Sequence, residues 1–80
     1  MTIKLLFFGI TADLVGEKEI SYTLESALTI KLLKEQLKKD FVKLKNINEF
    51  AIAVNEEYAT EDYQLKNEDV VAIIPPVSGG

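Results

Sequence analysis

The chain has 80 residues, 13 acidic against 9 basic side chains, and no Cys, His, Trp or Arg. A chain this short is one domain with a small core, hiding only about 60% of the surface its unfolded form exposes. No disulfide, thiolate nucleophile or Cys-held metal is available, no side chain ordinarily titrates near neutrality, and a formal charge of −4 without Arg argues against binding a phosphate backbone.

Met1 to Ile10 begins like a secretory leader, with Lys4 ahead of apolar residues, but Asp13 soon interrupts it and no small-residue cleavage site follows. No segment approaches the twenty or so apolar residues of a membrane-spanning helix, so a cytoplasmic protein is expected. Thr2 to Phe8 alternates, with Ile3, Leu5 and Phe7 on one face and Lys4, Leu6 and Phe8 on the other, which predicts a strand. Gly9 to Gly16 has room for one helical turn between glycines. Ile20, Tyr22 and Leu24 then alternate with Glu19, Ser21 and Thr23 in a second strand, antiparallel to the first.

Thr29 suits an N-cap, and Ile30, Leu33, Leu37 and Phe41 recur at helical spacing behind it, with Lys31, Lys34, Glu35, Lys38 and Lys39 on the wet side. A polar connection from Lys43 to Glu49 leads to a third strand, Phe50 to Val54, and a turn at Asn55 to Glu57. Tyr58 to Thr60 is expected as a brief edge strand, Glu61 to Leu65 as a helical turn, and Lys66 to Asp69 as a tight reversal. Val70 to Ile74 is the most β-branched run in the chain, and its near-continuous apolarity suits a central strand. Hairpin, helix, strand, minor strand and final strand, with the last strand inserted beside the first, describe an α+β, β-grasp (ubiquitin-like) domain: a mixed sheet of four to five strands on one main helix. The domain is expected over residues 1–74, followed by an extended tail over 75–80.

The tail reads Pro75, Pro76, Val77, Ser78, Gly79, Gly80. Two prolines fix φ and cannot prolong a sheet ladder, so they turn the backbone outward in an extended direction. Gly79 and Gly80 carry no side chains, and a narrow channel in a partner would admit their backbone and receive the carboxylate of Gly80. Activation of that carboxylate as an acyl adenylate and displacement of AMP by a sulfur donor would leave a thiocarboxylate, chemistry that asks for no catalytic side chain on the carrier. A frayed chain end is the plain alternative.

Ile3-Lys4-Leu5-Leu6-Phe7-Phe8, Leu14-Val15-Gly16, Ala53-Val54-Asn55 and above all Ile74-Pro75-Pro76-Val77-Ser78-Gly79-Gly80 resemble, from end to end, the ubiquitin-like sulfur carriers that form the small subunits of molybdopterin synthases. The resemblance implies that Gly80 is the reactive, sulfur-bearing residue, adenylated by an ATP-dependent activating enzyme and converted to a thiocarboxylate. It also implies that residues 75–79 enter a large catalytic subunit, where sulfur passes to cyclic pyranopterin monophosphate. The protein would then be non-autonomous as an enzyme and would bind no resident cofactor. Two departures from the pattern stand out. Ala12 replaces an Arg common in the turn after the first strand, and Glu68 replaces a Gly in the last reversal, where Asn67 is expected to adopt the left-handed conformation instead.

Alternation leaves Leu6, Phe8, Val70, Ala72 and Ile74 on the sheet face away from the helix. Leu6, Phe8, Ala72 and Ile74 form a candidate patch for docking partners, against the plainer possibility that loops cover it. The acidic pairs Glu56-Glu57, Glu61-Asp62 and Glu68-Asp69 match no calcium-loop spacing and read as solvated loop charges, with no metal site expected. Tyr22, Tyr58 and Tyr63 are expected as rim packing. A carrier for thiamine or tRNA thiolation, a ubiquitin-like protein modifier and a plain interaction domain remain the competing functions. The Pro-Pro-Val-Ser lead-in favours the molybdenum pathway by resemblance.

Overall fold

The computed structural model describes residues 1–46 and 50–76. Strand β1 (Thr2–Phe7) is followed by a short helix α1 (Ile10–Val15), strand β2 (Glu19–Thr23), the main helix α2 (Ile30–Asp40) and a 3₁₀ turn (Val42–Asn46). Strands β3 (Ala51–Val54), β4 (Glu57–Tyr58) and β5 (Val70–Ile74) complete one mixed sheet in the order β2-β1-β5-β3-β4. The β-grasp expectation holds. β5 lies parallel to β1, with Leu5 opposite Val71 and Phe7 opposite Ile73, and antiparallel to β3.

The period-two pattern of β1 and β5 sends Ile3, Leu5, Phe7, Val71 and Ile73 into the core, each 3% exposed or less. They meet Ile30, Leu33 and Leu37 of α2, which are fully buried, while Phe41 at the helix end is half-buried and packs edge-on against Phe7. Burying one such Leu or Ile contributes about 1.5–3 kcal/mol, a large share of the stability of a domain this size. The Thr29 side chain accepts from the Leu32 amide at 3.3 Å, as an N-cap does, and Lys38 and Lys39 sit in the last turn, where they oppose the helix dipole.

Three local expectations are corrected. Glu61 to Leu65 forms no helical turn: Gln64 bridges to Thr29, and the carbonyls of Tyr63 and Glu61 accept from the Ile30 and Lys31 amides, both at 3.0 Å. Those amides belong to the first turn of α2 and have no partner within the helix, so the segment, after a turn in which the Tyr63 amide donates to the Thr60 carbonyl at 3.1 Å, is committed to serving them. The minor strand is Glu57–Tyr58 rather than Tyr58 to Thr60, because Asn55 and Glu56 close a two-residue hairpin with φ of 50° and 74°. The polar connection is in part ordered as the 3₁₀ turn, which buries Leu44, while residues 47–49 lie outside the described ones.

Asn67 does not take the left-handed conformation in the last reversal; Glu68 does, with φ of 70°. Asn67 is otherwise engaged, its side-chain oxygen accepting from the Thr2 amide at 2.9 Å, while the Glu68 amide donates to the Thr2 carbonyl at 2.7 Å. A left-handed residue with a Cβ is strained by about 1–2 kcal/mol, and glycine loses about 0.5–1 kcal/mol more backbone entropy on folding, so relief exceeds cost. Glu68→Gly is therefore expected to stabilise the protein by about 0.5–1 kcal/mol, read as a higher urea midpoint at unchanged slope. A lower midpoint would show that the reversal gains nothing from glycine.

β2 is tied to α2 through Tyr22, whose hydroxyl donates to Asp40 and accepts from Gln36 Nε2 at 3.0 Å. Burial first, and then the hydrogen bond to the Asp40 carboxylate, push the Tyr22 phenol up to about 12. The folded protein thus holds this proton more tightly than the unfolded chain. The stability it contributes is complete below the ordinary tyrosine value of about 10 and lost as pH rises from there through about 12. Near-ultraviolet titration should find one tyrosine ionising near 12 in the parent protein and none there in Tyr22→Phe.

Candidate docking face and tail base

The candidate patch forms on the sheet face turned away from α2. The register lines Leu6, Ala72, Ala53 and Tyr58 across four strands in one row: Leu6 opposite Ala72, Ala72 opposite Ala53, Ala53 opposite Tyr58. Two alanines in the middle of that row leave the floor low, and Leu6 and Tyr58 stand at its sides. The result is a shallow, mostly apolar depression of about 430 Å³ lined by Leu6, Phe8, Ala53, Glu56, Tyr58, Val70, Ala72 and Ile74. All four residues singled out in the sequence, Leu6, Phe8, Ala72 and Ile74, line it. Phe8 is 50% exposed and Tyr58 74%, while Leu6, Ala72 and Ile74 are half-buried. An exposed apolar surface of this kind in a small domain is a candidate contact site.

Ala53, Glu56 and Tyr58 were not among the sequence candidates. Ala53 was detectable through the alternation of β3, since Ile52 and Val54 face the core. Tyr58 was not, because its place depends on the tight hairpin after Val54. Of the three tyrosines, Tyr22 and Tyr63 pack at the rim of the core as expected, whereas Tyr58 stands free on the docking face.

A polar clamp fixes the far end of β5. Asn55 holds both the amide and the carbonyl of Val70, its side-chain oxygen accepting at 3.0 Å and its backbone amide donating at 2.8 Å. The Asp69 carboxylate, 6% exposed, accepts from the Asn55 side chain at 3.1 Å, the Lys66 amide at 2.8 Å and the Tyr63 hydroxyl at 3.4 Å. Desolvation, with the adjacent Asp69 charge, raises the Tyr63 phenol above its ordinary value. A buried carboxylate is tolerable here because each of its oxygens is hydrogen-bonded.

At the near end of β5 the chain reaches Pro75, half-buried, and Pro76, exposed. Val77, Ser78, Gly79 and Gly80, which include the expected reactive residue, lie outside the described residues. Ala12, standing where an Arg is common in sequences of this pattern, is half-buried in α1 and shares a surface hollow with Asp13, Lys18 and Glu19. No group of three or more acidic side chains is close enough to hold a metal ion among the described residues. Nor is any helix there long and apolar enough to cross a membrane.

Residues 5–80 match the ThiS family. The chain belongs to that family. Among its relatives is the molybdopterin synthase sulfur carrier subunit of Arabidopsis thaliana, 33% identical over 98% of this chain and 82% of that protein. A candidate molybdopterin converting factor, subunit 1, from Pyrococcus furiosus superposes with a TM-score of 0.86 at 30% identity, covering 96% of this chain and 99% of the other. Subunit 1 in the Helicobacter pylori complex of molybdopterin-converting factor subunits 1 and 2 is 28% identical over the whole of both chains, with a TM-score of 0.70.

In this ThiS-family chain, Phe8, just past the end of β1, is set apart from the core residues of that strand. Phe8→Ala is expected to cost about 1 kcal/mol or less in a urea melt, against about 3 kcal/mol for Leu5→Ala, because half of the Phe8 side chain is already in water. Similar losses from the two substitutions would mean that Phe8 supports the core rather than a contact surface.

Proposed function

We propose that the protein is the sulfur carrier subunit of a molybdopterin synthase. The single observation that carries this reading, beyond the family match, is that the apolar docking face and the base of the Pro75-Pro76 tail share one end of the sheet: Phe8 and Ile74 line the depression, and the Phe8 amide donates to the Ile73 carbonyl at 3.2 Å. A partner seated on the depression would meet the tail at a fixed offset. The same face would serve the activating enzyme and the large subunit in turn, so that docking energy positions the carboxylate without any catalytic side chain from the carrier.

In this scheme the Gly80 carboxylate attacks the α-phosphate of ATP on the activating enzyme, pyrophosphate leaves, and an acyl adenylate forms. A sulfur donor then attacks the acyl carbon and AMP departs, leaving a thiocarboxylate. The thiocarboxylate sulfur, the better nucleophile, attacks a carbon of cyclic pyranopterin monophosphate inside the large subunit and displaces an oxygen substituent; water then cleaves the acyl–sulfur bond, leaving sulfur on the pterin and returning the carboxylate. Gly79 and Gly80 let the backbone pass where a Cβ would block, and residues 75–78 carry them there.

Intact-mass measurement after incubation with the activating enzyme, ATP and a sulfur source should show a gain equal to sulfur minus oxygen. Deletion of Gly80, or one residue added after it, should abolish both that gain and molybdopterin formation. Phe8→Ala should weaken large-subunit binding by about tenfold, as loss of a buried aromatic anchor does. Unimpaired molybdopterin formation by the extended chain would overturn the proposal, and stable conjugates to lysines of other proteins would point to a modifier instead.

A further inference from the structure

Where β1 and β5 end side by side, the chain of β1 must turn away while the tail continues past it. Gly9 makes that turn with φ of 54° and ψ of −135°. A Cβ built on Gly9 would lie 3.1 Å from Cγ of Pro75 and 3.9 Å from its Cδ, so an added side chain would push the proline ring back by a few tenths of an ångström. Beside it, the Thr11 hydroxyl is fully buried, 2.5 Å from the Phe8 carbonyl oxygen and 3.3 Å from that of Ile73. Its one proton is shared between Phe8, just past the end of β1, and Ile73, near the end of β5. Both carbonyls already have backbone donors, from the Thr11 and Phe8 amides. The hydroxyl is therefore not needed to satisfy either oxygen; it adds a cross-tie where the tail departs. On the other flank, Pro76 borders a hollow of about 310 Å³ shared with Lys34, Phe50 and Tyr58.

We infer that Gly9 and Thr11 form a seat that aims the tail, making them positioning residues for sulfur transfer; this rests on the function proposed above. Ile74 and Pro75 each precede a proline and are held extended, and the φ angles of Pro75 and Pro76 are fixed, so orientation set at Ile73 is carried stiffly through Pro76. Four further residues reach at most about 14 Å when extended, so an error of about 20° at the seat displaces Gly80 by about 5 Å. Misplacement by far less already costs reactions about a hundredfold.

The test uses the full chain as its thiocarboxylate, prepared by thiolysis of a C-terminal thioester fusion so that no activating enzyme is needed. It is supplied with its large subunit and cyclic pyranopterin monophosphate. Thr11→Val, which keeps the side-chain shape, and Gly9→Ala are expected to bind the large subunit within about threefold of the parent, while transfer at saturating large subunit slows by about tenfold or more. Thr11→Ser, which keeps the hydroxyl, should restore the rate. In parallel, because the chain has no Cys, a single spin label at Ser78→Cys reports tail direction through paramagnetic broadening of sheet amides without any partner. The broadening should redistribute in Thr11→Val. Unchanged broadening together with unchanged transfer overturns the seat, and so does a rate loss that merely follows weakened binding. Should Gly9→Ala fail to fold, Thr11→Val decides. A parent thiocarboxylate that transfers nothing overturns the proposed function, and the label then decides the seat alone.

Discussion

The parallel pairing of β1 with β5 is the constraint on which the rest of the structure depends. It joins the two ends of the chain in the centre of the sheet, with Leu5 against Val71 and Phe7 against Ile73. Parallel neighbours need a crossover, and everything from α1 to the last reversal serves as that crossover, carrying α2 over one face. The residues that α2 covers are those that alternation in β1 and β5 sends its way. Those it leaves uncovered, Leu6, Phe8, Ala72 and Ile74, are thereby gathered on the opposite face beside the point where the tail begins. One pairing thus creates the core and the docking surface, and fixes their relation to Pro75.

A domain without His or Cys gains its function from placement. Its sheet is anchored at both ends of β5 by different means. At the far end, Asn55, Lys66 and the buried Asp69 carboxylate form a hydrogen-bonded clamp. At the near end the ties are lighter: a backbone amide, one shared hydroxyl proton and the contact of a proline ring with a glycine. Such an arrangement suits the role proposed above, in which the strand would stay in register while the segment beyond it enters a second protein.

The architecture was legible in the sequence because its main signals are periodic and mutually consistent. Alternation identified both faces of β1 and β5, and the 3.6-residue stripe and Thr29 identified α2 with its cap. What escaped was local structure decided by distant partners. Glu61 to Leu65 resembles a helical turn by composition, yet its carbonyls are committed to α2 amides some thirty residues earlier. Asn67 was the expected left-handed residue on intrinsic preference, but its side chain is held by Thr2, and Glu68 takes the strain. Tyr58 entered the docking face only because the hairpin at Asn55 and Glu56 is two residues long.

The positive-φ residues divide by the reason they are needed. Asn55, Glu56 and Glu68 lie at the clamp end, where a left-handed backbone costs local strain but space is open to a side chain. Gly16, with nothing within 4 Å of a built Cβ, is likewise required by its φ of 86° alone. Gly9 differs, because there conformation and space both count: the φ of 54° disfavours a side chain, and a Cβ would stand only 3.1 Å from the Pro75 ring. Glu68 shows that the fold carries backbone strain alone, whereas a side chain at Gly9 would add a displacement of the Pro75 ring to that strain. Of the two described glycines, the one less tolerant of a side chain is thus the one that touches the base of the tail.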